Sequence, residues 1–270
     1  MFEEHAADLE PNLSILNIDP PDHTRLRRLV SKAFTPRTVE TLRPLVQQLV
    51  DDALDAMAVK GVADLVEGLA FPLPFDVISE MLGMPDNDKE QIRDWSAAIV
   101  KTIDPVITEE EVIAATEASR HMDRLNDEVI EWKRANPADD PLTALIEAEE
   151  DGDRMTAREL RDQVSVLFIA GHETTVNLIG TGIYELLRHP DQLAQLGAER
   201  LDLGRGNVGQ HVSFGSGMHY CLGASLAKLE AEVAIGTFVR RFPSATVAGQ
   251  PEWNGRINLR GLEKLDIDFS

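Results

Sequence analysis

Cys221 is the only cysteine in 270 residues, so no intrachain disulfide can form and no pair of thiolates can hold a structural zinc. It stands in Phe214-Gly215-Ser216-Gly217-Met218-His219-Tyr220-Cys221-Leu222-Gly223. The stripe Leu222, Leu226, Leu229 and Val233 predicts a helix over residues 222–238 beginning next to the cysteine. A thiolate, not a thiol, ligates metal, and the start of a helix lowers the pKa of a thiol placed there. Gly215 and Gly217 permit positive φ and close approach of backbone to a flat object, and successive N–H groups in such a loop can turn toward the sulfur. The loop suits a thiolate held beneath something planar; a buried, inert cysteine in a turn is the alternative.

Two further stretches could do chemistry. Ala170-Gly171-His172-Glu173-Thr174-Thr175 places an acid and then an alcohol inside a helical pattern. A helical threonine can bond the carbonyl four residues back, here from Thr174 to Ala170, and with Gly171 beside it the ladder can open into a groove. Carboxyl and hydroxyl there could relay protons; a kinked helix with polar surface residues is the bland reading. His23 and Arg27, in Asp19-Pro20-Pro21-Asp22-His23-Thr24-Arg25-Leu26-Arg27, are i and i+4, so two cationic donors share a helix face and suit carboxylates. The alternative is a solvated basic face.

The three stretches resemble the cytochrome P-450 family. Phe214–Gly223 is similar to its heme-binding signature, Ala170–Thr175 to its oxygen-activation segment, and Asp19–Arg27 to the segment entering the helix below the heme. The resemblance implies a mainly α fold with a long central helix and a small β portion near the C-terminus. It implies heme b (iron protoporphyrin IX), with the Cys221 thiolate as axial metal ligand. Cofactor contacts would come from His23, Arg27 and His219 at the propionates, Ala170 and Gly171 at the groove, and Phe214, Gly215 and Gly223 in the loop; Glu173 and Thr174 would be catalytic, handling protons. The implied reaction is monooxygenation, one atom of O2 entering a small organic substrate with two electrons from a ferredoxin-type donor. The cofactor would do the oxidative chemistry and the protein would supply ligand, cavity and proton path.

The chain is short for that family. The family's N-terminal sheet and first helices should precede residue 1, and its E-x-x-R helix, several strands and another propionate-binding arginine should precede the cysteine loop. We expect a single, incomplete domain over 1–270, with a deletion junction near 200–201 and part of the sheet missing. E-x-x-R spacing occurs at Glu40, Glu90, Glu117, Glu131 and Glu185, as ordinary i,i+3 pairs do, and none inherits the family role. A degenerate or non-catalytic heme-binding relative, and a helical interaction protein without cofactor, are the rival readings.

The elements that must position these residues are helical. Apolar periodicity predicts helices from Leu26 through Ala33 up to Pro36, over Val39 to Met57, and over 75–82, 90–100 and 109–134. After the turn Asp151-Gly152-Asp153, Thr156-x-x-Glu159 has capping-box spacing and opens a helix over 157–188 that ends at His189-Pro190, about 45–50 Å long. Gly171, Gly180 and Gly182 inside it point to close packing or a kink. Leu265, Ile267 and Phe269 alternate as a half-buried strand. Gly204-x-Gly206-x-x-Gly209 mimics a dinucleotide fingerprint, but it has neither the strand before it nor the helix after it that such a site needs.

With 43% hydrophobic residues the chain can bury a sizeable core, and its net charge of −21 excludes general nucleic-acid or anionic-membrane binding. No apolar run reaches a membrane span, and the first residues resemble neither a signal nor a transit peptide, so a cytoplasmic location is expected. One stretch reverses the charge. From His23 to Arg43, Arg25, Arg27, Arg28, Lys32, Arg37 and Arg43 stand against Glu40 alone, a basic patch that would steer an acidic ferredoxin.

Overall fold

Thr156 and Glu159 start the long helix as their spacing predicts. The Glu159 N–H donates to the Thr156 hydroxyl at 3.2 Å, and the Thr156 N–H donates to the Glu159 carboxylate at 2.8 Å, so two donors at a helix start find partners. The computed structural model describes residues 12–84, 89–150, 152–197 and 211–270; the region near 200–201 and Gly204–Gly209 lie outside them. In chain order the described α-helices and strands are α1 (Asp22–Ser31), α2 (Pro36–Thr41), α3 (Arg43–Lys60), β1 (Val62–Asp64), α4 (Pro72–Met81), α5 (Lys89–Lys101), α6 (Glu109–Ala135), α7 (Pro141–Ile146), β2 (Glu149–Glu150), β3 (Asp153–Arg154), α8 (Ala157–Arg188), α9 (Pro190–Gly197), α10 (Ala224–Arg241), β4 (Thr246–Val247), β5 (Glu252–Trp253), β6 (Leu262–Lys264) and β7 (Asp266–Asp268), with a π-helical turn at Val66–Ala70 between β1 and α4. The fold is mainly α, as expected. Among the described residues no helix is long and apolar enough to cross a membrane.

The periodicity over Val39 to Met57 is served by two helices rather than one. Leu42 stands between α2 and α3, and Pro44 falls in the first turn of α3, where its missing N–H costs nothing because that donor has no partner in the helix.

The chain forms two compact units, Met1–Thr38 with Ile78–Glu173, and Val39–Val77 with Thr174–Ser270. In the first, α5 packs along α6 and α7 packs on α6. Leu26, Leu29, Val30, Met122 and Phe168 are fully buried in its core. The segment before α1 is tied to α8: the Leu13 and Ile15 N–H groups donate to Asp162 and Gln163 at 2.8 and 3.0 Å, and the Gln163 amide returns a bond to the Leu13 carbonyl at 3.0 Å.

In the second unit α3 lies against α10. Val46, Val50 and Leu54 of one helix and Leu226, Leu229, Val233 and Phe238 of the other are buried. A three-stranded antiparallel sheet, in the order β1-β7-β4, centres on Ile267, which lies opposite both Ala63 and Val247. The strand read at the C-terminal end is therefore real, and it pairs on one side with a strand about 200 residues earlier.

The glycines of α8 serve close packing. A Cβ at Gly171 would come within 2.9 Å of Ile78, and one at Gly182 within 3.0 Å of Ile235. The helix is α-helical from Ala157 to Arg188 without a break.

Candidate functional site

The cysteine loop belongs to the second unit. Gly215 and Gly217 have φ of +68° and +64°, conformations that side-chain-bearing residues rarely adopt. The Gly215 N–H donates to the Val212 carbonyl at 2.9 Å, and the Cys221 N–H donates to the Phe214 carbonyl at 2.8 Å, which closes the loop on itself. A short 3-10 turn, Gly217–His219, carries His219 outward into solvent, and Gly223 is the N-cap of α10. The Phe214 ring is packed beside the loop, with the Lys228 ammonium 5.1 Å from its centroid. Cys221 itself is half-buried.

The middle of α8 presents a second group of predicted residues. Ala170 and Thr174 are exposed, as is Leu178 one turn further on, so i, i+4 and i+8 form one open stripe of the helix. Gly171 is half-buried and occupied with Ile78. The Glu173 side chain keeps 11% of its exposure, while His172 beside it keeps none. The His172 ring holds the Phe168 carbonyl at 2.8 Å through Nδ1. Burial pushes its pKa down, Arg93 adds to that effect, and Glu173 and the Phe168 carbonyl oppose it.

Sequence reasoning missed Glu230. It lies on α10, 1% exposed, one helical turn beyond Leu226, so a carboxyl interrupts the apolar stripe that packs inward. That interruption is the signal that could have found it. Neither carboxyl oxygen reaches a partner at hydrogen-bond distance. Burial pushes its pKa up to about 8, and the Thr175 hydroxyl, which favours the charged form, offsets only part of that effect.

On α1, in the first unit, His23 is buried with Leu26 and Val30 while Arg27 is half-buried. The basic patch is smaller than its sequence suggests. Arg25 is paired with Glu159, and with Asp153 at 3.5 Å, and Arg43 is paired with Glu40 at 2.5 Å and Glu232 at 3.4 Å. Arg28, Lys32 and Arg37 stay exposed. Three of the five E-x-x-R spacings, at Glu40, Glu131 and Glu185, form i,i+3 ion pairs on helices.

Whether heme fits can be judged from the donor set and the space at the loop. Among the described residues no three His, Cys, Asp or Glu side chains group as a metal cage. Cys221 therefore offers a single thiolate, which suits an iron whose in-plane ligands belong to its own macrocycle. A Cβ at Gly217 or Gly223 would meet nothing within 4 Å, and Met218 and Tyr220 are 54% and 43% exposed. Bare backbone and open apolar side chains flank the thiol, and a flat apolar group fits them.

Comparison with known proteins agrees. The family model described as Cytochrome P450 matches residues 2–208, a span that ends before the cysteine loop. Cytochrome P450 107B1 of Saccharopolyspora erythraea is 40% identical, with 96% of this chain and 78% of the relative covered. Cytochrome P450 monooxygenase PikC of Streptomyces venezuelae is 37% identical, with 97% and 77% covered. The ligand-free structure of CYP164A2 from Mycobacterium smegmatis superposes with a TM-score of 0.88 at 32% identity, covering 99% of this chain and 83% of that one. The match to 107B1 runs over 324 positions, more than the length of this chain, so that relative holds internal stretches with no counterpart here.

Proposed function

This chain belongs to the cytochrome P450 family, an oxidoreductase of monooxygenase type, and we propose that it carries heme b on Cys221 and inserts one atom of O2 into a small organic substrate with electrons from a ferredoxin-type donor. The observation that carries this reading is the loop itself: positive-φ glycines, a Cys221 N–H turned back onto Phe214, and open space at Gly217 and Gly223. His23, Arg27 and His219 would hold the propionates through charge-assisted hydrogen bonds, and Phe214, Gly215 and Gly223 would shape the bed around the thiolate. Heme bound there supplies the electron uptake and oxygen activation that no side chain can perform.

The remaining work falls to protein groups. Ala170 and Thr174 lie on the open stripe of α8, so substrate and oxygen can approach that face, while Gly171 seats the helix on α4. Glu173 would hold a proton at its carboxyl and Thr174 would pass one through its hydroxyl, which is general acid chemistry. We read residues 1–270 as one incomplete family domain with its junction near 200–201, in a reducing cytoplasmic setting that keeps its single thiol available for metal. The presence of Cys221, Glu173 and Thr174 together favours an enzyme over a non-catalytic heme-binding relative.

The test is reconstitution. Purified chain mixed with heme, reduced and exposed to CO, should give the red-shifted Soret band of a thiolate ligand, and Cys221→Ala should lose it. Absence of heme uptake would overturn the proposal. Turnover with a ferredoxin and its reductase then separates an enzyme from a heme carrier, and Glu173→Gln should slow it about 100-fold.

A further inference from the structure

Glu230 is buried in α10, and the reaction proposed above gives it no task. Its helix packs against α3 and α9, and α8 comes so close that a Cβ at Gly182 would lie 3.0 Å from Ile235. The residue is 1% exposed and neither carboxyl oxygen makes a hydrogen bond. A carboxylate without water or a partner is far costlier than a carboxylic acid in the same place, so the group keeps its proton while the helix is packed.

No counter-charge relieves that cost. From α8 the Thr175 hydroxyl acts on the carboxyl, and the charged groups near that helix's end, Glu185 and Arg188, pair with each other at 3.2 Å. From α3, Arg43 pairs with Glu40 and Glu232, Asp51 and Asp55 pair with Arg241, and Gln47 donates to Thr237 at 3.3 Å. Asp52 and Lys60 of α3 and Asp191 of α9 are exposed. Beyond β7 the uncharged Phe269 meets α10, at Phe238. Burial pushes the Glu230 pKa up to about 8, and Thr175 offsets only part of the effect.

The same turn of α10 carries the cysteine loop. Lys228, two residues before Glu230, has its ammonium 5.1 Å from the centroid of Phe214, and Gly223, two residues after Cys221, is the N-cap of the helix. The bonds from the Gly215, Tyr220 and Cys221 N–H groups all close within the loop, to Val212, Gly217 and Phe214. The start of α10 is thus a tie between the loop and the core.

We propose that Glu230 is a proton-operated latch: as a neutral acid it lets α10 seat against α8, and when it ionises into water the start of α10 lifts and loosens the cysteine loop. The step is the loss of one proton from the carboxyl to solvent, and no other bond changes. The lifted state exposes an ordinary carboxyl. Lifting therefore grows more favourable as pH rises above the usual value of 4.5, and levels off above the higher value of the packed state.

Amide hydrogen exchange of the full chain without heme reads the latch independently of the proposed reaction. Corrected for the intrinsic rate at each pH, exchange at Cys221, Ala227 and Leu229 should rise up to about tenfold per pH unit between pH 6 and 8 and then level off. In Glu230→Gln the corrected rates should stay flat, and equal profiles in the two proteins overturn the proposal. Should that variant fold poorly, Glu230→Leu puts apolar carbon in the same place and should be flat as well; a rise that persists in it overturns the latch. The Met122 amide of α6, in the other unit, distinguishes lifting from unfolding of the whole chain. It should exchange much more slowly than the α10 amides, and a common corrected rate at both overturns the proposal.

Discussion

A carboxyl group buried like Glu230 resists ionisation, and this ties the stability of its surroundings to pH. In the unfolded chain it ionises near its ordinary value of 4.5, whereas in the fold it stays protonated up to about 8. Between those values the folded state binds more protons than the unfolded one, so stability falls as pH rises through this window and levels off above it. Glu230→Gln keeps the shape and removes the ionisation; chemical denaturation across pH 5 to 9 should show the loss, on the order of a few kcal/mol, flattened in the variant. Cys221, Glu173 and Thr174 could be picked out in the sequence because their types and spacing are local. The burial of Glu230 and of His172 could not be, because a neighbour's distance and the water it excludes arise only when the helices pack. Arg25 shows the same limit: its sequence neighbours are basic, and its partner Glu159 lies 134 residues away.

At the scale of elements, α8 was legible to its ends because both stop signals are local, a capping box at Thr156 and a His-Pro step after Arg188. Thr156→Ala removes the cap and should cost about 1 kcal/mol, measured as a shift in the denaturation midpoint with an unchanged slope. Gly171 gives the opposite kind of prediction. Alanine is the better helix former by about 1 kcal/mol, but its methyl would meet the stiff, β-branched Ile78 at 2.9 Å. Overpacking of that kind costs about 1–3 kcal/mol, so Gly171→Ala should lower the melting temperature despite its better propensity, and Ile78→Ala in the same chain should recover part of the loss. The strand β1 had no such local signal. Three residues after Gly61 show no periodicity, and their pairing with β7 depends on the far end of the chain.

For the whole molecule the balance of charge matters most. With a net charge of −21, the chain as a whole repels an acidic donor, and the exposed Arg28, Lys32 and Arg37 lie in a stretch where that charge is locally reversed. Charge reversal at Arg28 and Lys32 should slow reduction by a ferredoxin at low salt and flatten its salt dependence; unchanged kinetics would count against this docking face. Acid relieves the self-repulsion of such a chain, yet carboxylates held in caps and ion pairs work the other way, Glu159 among them. Glu159 caps α8 and pairs with Arg25, and although burial acts to raise its pKa, the bonds from Thr156 and Arg25 prevail and hold it below the usual carboxylate range. The stability it contributes is present above the ordinary glutamate value and is lost as pH falls through its own lower one. Asp162 and Gln163, which anchor Leu13 and Ile15, lie within the next turn of that helix. Protonation of that side chain should loosen a helix start and release an arginine one turn from the anchor of the chain's first described residues, and acid below the ordinary glutamate value of 4.5 should show it as early amide hydrogen exchange at Glu159, spreading to Leu13 and Ile15, while the buried middle of α8 still exchanges slowly.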